Sequence, residues 1–139
     1  MNEDTGYDFY RSFFAVLAGV LSAIAAGAII KMLFAKLLNF DPLNELSENE
    51  SNLMIQLSVA GWLFISSFVG GLICAIIAGR NDMGHIIVSS LVVLALYFLL
   101  GGTQVFKERS FLSWAILLAI PIGIFLGEWI GGVGKTTEQ

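Results

Sequence analysis

The sequence predicts an all-α fold, a four-helix transmembrane bundle without a soluble domain, and three observations carry that expectation. Hydrophobic residues make up 57% of the 139-residue chain and charged residues 13%, with a mean hydropathy of +0.83. A globule of this size has too little interior to hide so much apolar surface, so its solvent is lipid. Four apolar runs reach about the 20 residues that carry a helix across hydrocarbon. The polar segments around them are all shorter than the roughly 40 residues below which a domain rarely folds unaided. The whole chain, 1–139, reads as one membrane domain with spans near 12–37, 54–80, 84–102 and 110–131 and an acidic polar loop at 38–53.

The first run, Ser12 to Phe34, is "SFFAVLAGVLSAIAAGAIIKMLF", broken only by Lys31 near its end. It follows "MNEDTGYDFYR", with three acids before Arg11, and is too long for a secretory signal, which needs a basic start and a short apolar stretch; it reads as a retained span. The second run is Leu57 to Gly79, the third extends from about Met83 to Gly102, and the fourth is Phe111 to Gly131. Pro121 falls in the middle of the fourth, where it removes a donor and crowds the carbonyl of Leu117, so a kink is expected there. Lipid tolerates such a kink because neighbouring helices can satisfy the freed carbonyl.

Small residues recur every four positions on three of the spans. The first carries Ala15, Gly19, Ala23 and Gly27, and the fourth carries Ala115, Ala119, Gly123, Gly127 and Gly131. The second has two adjacent rows, one of Ser66, Gly70, Cys74 and Ala78 and one of Ser67, Gly71, Ala75 and Gly79. Such a row makes a flat groove for another backbone, and close van der Waals contact is a main source of association where lipid tails are as apolar as leucine. Spans one, two and four are therefore expected to pack closely. The third, "IIVSSLVVLALYFLL", is bulky nearly all round apart from Ser89 and Ser90, and is expected at the periphery.

Polar groups inside the spans are few. Ser22, Ser66, Ser67, Ser89 and Ser90 can return their hydroxyls to carbonyls one turn back. Cys74 stands alone, a small hydrophobe in a glycine row, and one Cys with one His supplies no ordinary metal-ligand set, so no metal and no cofactor is expected. No nucleophile and base pair falls in a recognisable frame, which argues against an enzyme.

With four crossings, Arg11, Arg80, Asp82, His85 and Glu128 gather at one interface, together with Lys135. Glu128 lies between Gly127 and Trp129, one turn inside the exit, where a carboxylate is costly unless paired or wetted. Arg80 is its expected partner and Arg11 the next candidate, which makes Glu128 an interfacial ion pair; the alternative makes it a proton or cation site. His85 reads as an interfacial polar residue, with pH sensing as its alternative. Lysines and arginines number three on that side, Arg11, Arg80 and Lys135, against Lys31, Lys36, Lys107 and Arg109 on the other, so charge does not set the orientation. The acidic loop "NFDPLNELSENES" has the look of an external one, and with an even number of spans both termini are expected in the cytoplasm.

The chain ends "GGVGKTTEQ", whose first seven letters resemble the phosphate loop of deviant P-loop ATPases. A phosphate loop needs a buried strand before it and a helix starting at its Lys-Thr, and here a membrane span precedes it while only Glu138 and Gln139 follow the threonines. Ile130 also stands where that family has a lysine. The stretch reads as a membrane-exit tail, with no nucleotide bound.

Residues 68 to 90, "FVGGLICAIIAGRNDMGHIIVSS", hold Gly70, Gly71, Ala75, Ala78, Gly79, Arg80 and His85 in the order G-G-x-x-x-A-x-x-A-G-R followed by a His that opens the next span. In this the chain resembles a loose group of small, uncharacterised four-span prokaryotic membrane proteins, a resemblance that implies the bundle and no activity. Small multidrug exporters differ, carrying a glutamate in the first span, which has no acid here. Fluoride channels also differ, with a polar break in a third span that is continuous and apolar here. The expected function is that of a non-enzymatic packing or accessory subunit in the prokaryotic inner membrane. Its partners would be the lipid bilayer and a second copy or a larger membrane complex, with no nucleic acid. A small transporter or channel with Glu128, Arg80 and His85 at one mouth is the alternative.

Overall fold

In lipid every backbone donor and acceptor has to be satisfied within its own segment, so the apolar runs fold as helices. The computed structural model describes residues 3–39, 53–79, 83–99 and 111–133, with side chains at 9–37, 39, 53–79, 83–99 and 114–132. Among the described residues are four helices and no strand: α1 (Glu3–Leu38), α2 (Leu53–Ala78), α3 (Met83–Leu99) and α4 (Phe111–Val133). Arg80, Asp82, Lys135 and most of the acidic loop lie outside the described residues, and the expected Arg80–Glu128 pair lies there with them.

Three helices are long and apolar enough to cross a membrane, Phe9–Leu37 within α1, all of α2, and Trp114–Gly132 within α4, while α3 is a shorter apolar helix. At about 1.5 Å per residue, the 26 residues of α2 rise roughly 39 Å and the 17 of α3 roughly 26 Å.

Helix ends depart from the sequence reading. α1 is already helical at Glu3, so the acidic tail expected outside the span is helical. Lys36 occupies its last turn, and Asn39 follows with a φ of 48°, the left-handed cap that Asn tolerates. Gly79, placed by its spacing in a packing row, instead ends α2. Its φ is 71°, and its N–H donates to the Ala75 carbonyl at 2.9 Å, a left-handed cap that closes one of the orphan carbonyls. Gly79→Ala should therefore lower stability by about 1 kcal/mol, the cost of holding an L side chain in that region. Thermal unfolding in detergent measures it, and an unchanged midpoint would show that the helix ends equally well another way. α4 continues through Pro121 and on through Gly131 and Gly132 to Val133, so the residues that open the phosphate-loop-like stretch are helical.

α2 is the middle of the bundle. α4 covers one side of it and α1 another, whereas α3 lies against α4 and α1 and meets α2 only briefly. Gly19 lies opposite Gly70 and Cys74, and Gly27 opposite Ser66 and Trp62, so α1 and α2 are antiparallel. Gly123 lies opposite Phe64 and Ser67, and Gly131 opposite Leu72 and Ala75, so α4 runs parallel to α2. Early residues of α1 and α3 (Phe9, Ser12, Gly84, His85) line one groove and late ones (Ala28, Lys31, Leu96, Tyr97) another, so these two helices run together. The main apolar core joins Ile55, Val59 and Leu63 of α2, Ile86 and Tyr97 of α3, and Ile116, Ile120 and Ile124 of α4.

Candidate functional site

The two small rows of α2 face different partners. Gly70 of the first row meets α1: a Cβ on it would fall 2.7 Å from the Gly19 carbonyl oxygen and 2.8 Å from the Ala23 Cβ. From the other side, a Cβ on Gly19 would lie 2.8 Å from the Cys74 Cβ and from the Gly70 oxygen. Gly71 of the second row meets α4, where a Cβ would run into the carbonyl oxygen of Ile124 and lie 2.9 Å from its Cα. A Cβ on Gly127 would strike the Phe68 carbonyl oxygen, and one on Gly123 would lie 2.6 Å from that of Phe64. Ala15, Ala23, Ala75 and Ala119 are buried in these interfaces. At Gly27 the approach is looser, with Ser66 at 3.5 Å from a Cβ, and there a polar contact takes over: the Trp62 indole Nε1 donates to the Gly27 carbonyl at 2.8 Å. Ser66 itself donates to the Trp62 carbonyl one turn back.

Beside the small row of α4 runs a second one at the same spacing, Ile116, Ile120, Ile124 and Glu128, each no more than 1% exposed. Glu128 is thus the fourth member of a core row. Its exposure is 0%: the helix turn that buries Ile124 buries the carboxylate within the bundle too. Facing it from α2 is Cys74, whose thiol is close enough to Glu128 for the two to interact electrostatically. The Cys74 Sγ also lies 4.0 Å from the Ser89 Oγ of α3. Cys74 is therefore a polar member of this layer as well as a small residue in the α1 seam. His85, one turn before Ser89 on α3, is 6% exposed, so it is buried within the bundle, and it borders the α1–α3 groove.

Arg11 has other business. Its Nε donates to the carbonyl of Ile77 at 3.2 Å, capping the C-terminal end of α2, where a cation is favoured.

No known protein family, characterised protein or solved structure matches the chain. The chemistry of the layer has to be read from its own groups. A carboxylate, a thiol and a hydroxyl from three helices can share protons and hydrogen bonds. In the sequence, isoleucines stand four, eight and twelve positions before Glu128. That spacing was the available signal for its burial. The meeting of Ser89 with Cys74 had no such signal, because nothing in the chain fixes the rotation of α3 against α2.

Proposed function

We propose that the chain is a non-enzymatic, four-span protein of the prokaryotic inner membrane, with both termini cytoplasmic, that acts as a packing or assembly subunit for a second copy or a larger membrane complex. The observation that supports this most is the backbone contact on both sides of α2. At Gly19, Gly70, Gly71, Gly123 and Gly127 an added Cβ has no space, so the seams between α2 and its two main neighbours are filled and leave no conduit at those levels. Interaction then falls to the outer faces. Between α1 and α3 a groove of about 510 Å³ opens outward, lined almost wholly by apolar groups that include Phe13, Leu17, Val88 and Val92, a shape that suits an apolar helix. The competing reading, a small carrier or channel, is favoured by the burial of Glu128, because ionisable groups inside membrane bundles mark ion and proton paths.

Extraction in mild detergent followed by native mass spectrometry tests the choice. The packing reading expects the chain to run with a second copy or another membrane protein. Leu17→Trp combined with Val88→Trp, which fills the groove, should release that partner without lowering the unfolding midpoint. A monomer that passes a solute across vesicles, with the flux lost in Glu128→Gln, decides for the carrier.

A further inference from the structure

We propose that the second groove between α1 and α3, the one that Tyr97 lines, is a phospholipid site: one acyl chain lies along the groove and its ester carbonyl accepts a hydrogen bond from the Tyr97 hydroxyl. The partner-docking groove at Phe13, Leu17, Val88 and Val92 is a different one, so this inference stands or falls separately from the function proposed above.

An orphaned donor is the starting point. Tyr97 of α3 is 8% exposed, and its buried hydroxyl has no hydrogen-bond partner among the described residues. A buried hydroxyl left unbonded is destabilising, and the hydrocarbon around a membrane helix offers no water to relieve it. Two other donors of the same groove are engaged: the Trp62 indole Nε1 donates to the Gly27 carbonyl at 2.8 Å, and the Ser66 hydroxyl donates to the Trp62 carbonyl. Tyr97 differs from them in lacking an acceptor among these helices.

Depth selects the acceptor. Tyr97 stands two residues before Leu99, the end of α3, and Lys31 lines the same groove from α1. A tyrosine close to a helix end, and a lysine whose stem can reach toward the headgroups, both belong at the boundary of the hydrocarbon. There the bilayer itself presents acceptors that bring no donor of their own, the ester carbonyls that join acyl chains to glycerol. The rest of the groove, about 250 Å³, is lined almost wholly by apolar groups. At about 1.5 Å per residue, its α1 wall from Ala23 to Lys31 is roughly 12 Å long, most of one leaflet's share of a hydrocarbon core of about 30 Å. That volume over that length takes a single extended chain, not a helix about 10 Å across with its side chains.

The test uses the full chain in nanodiscs made from equal amounts of two phosphatidylethanolamines with the same chains, one ester-linked and one ether-linked. The ether lipid has no carbonyl. After extraction in mild detergent, native mass spectrometry should find the ester lipid on the wild type about fivefold over the ether lipid, the discrimination of a single hydrogen bond. Tyr97→Phe keeps the ring and removes only the oxygen, and it should hold the two lipids equally. The unfolding midpoint gives a second readout. In detergent free of lipid, Tyr97→Phe should unfold no earlier than wild type, because only an unbonded hydroxyl is lost, and adding the ester lipid should raise the wild-type midpoint more than that of the variant. Equal retention of the two lipids by wild type, or an unchanged ester preference in Tyr97→Phe, overturns the site. So does a lower midpoint for Tyr97→Phe without lipid, which would put the partner of the hydroxyl within the chain.

Discussion

One methyl added at Gly71 or Gly127 should destabilise the bundle by about 3 kcal/mol, at the upper end of what overpacking a well-filled core costs. At Gly71 the new Cβ would meet the oxygen, carbonyl carbon and Cα of Ile124, and at Gly127 the Phe68 oxygen and the Leu72 nitrogen. All of these are backbone atoms in the middle of a helix, and no rotamer change moves them. The two helices have to separate, and separation forfeits the dispersion contacts along the whole seam, which in lipid are most of what holds it. Gly61 is the control, since a Cβ there has nothing within 4 Å, and Gly61→Ala should be neutral or mildly stabilising through helix propensity. Unfolding of the purified variants in a mixed detergent of increasing denaturing strength gives the three midpoints. Equal midpoints for Gly71→Ala and Gly61→Ala would refute the backbone-contact account. Gly71→Leu or Gly123→Leu should prevent assembly outright.

Much of this architecture is legible in the sequence, because lipid reduces the possibilities to helices and the small rows mark their seams. The four-residue period of Gly70 and Cys74, and that of Gly71 and Ala75, identifies two contact faces on α2 before any partner is known. The lighter packing of α3 follows from its bulky residues, which leave Ile87, Val88, Leu91 and Val92 exposed on one side. What the sequence hides is rotation. Gly79 has the period of a packing residue and the geometry of a helix cap, since a row says nothing about where its helix stops. Arg11 was a candidate partner for Glu128 by proximity to the membrane surface, yet its Nε is spent on the end of α2. A carbonyl left open at a helix end leaves no mark in the residue types nearby.

Ile120→Ala should cost about 2–5 kcal/mol, the range for truncating a fully buried aliphatic side chain in a core that closes only partly around the gap. Ile120 has 0% exposure and packs in the cluster that joins α2, α3 and α4. It also borders a groove of about 250 Å³ alongside Leu63, Val93 and Tyr97, so removing its outer carbons enlarges that space. The loss in lipid is of a different kind from that in water. Moving an isoleucine from lipid tails to a helix interface brings little transfer free energy, so the measured value reports packing contacts almost alone. Ile122, two positions along the same helix and 48% exposed, separates the two contributions: Ile122→Ala exchanges side-chain contacts for lipid contacts and should cost less than about 1 kcal/mol on that account. Both variants can be compared with wild type by unfolding in detergent and again in lipid nanodiscs. A similar cost for the two substitutions would mean that α4 is rotated from the face described here, and that Glu128, two turns beyond Ile120 in the same row, points to lipid instead of to Cys74.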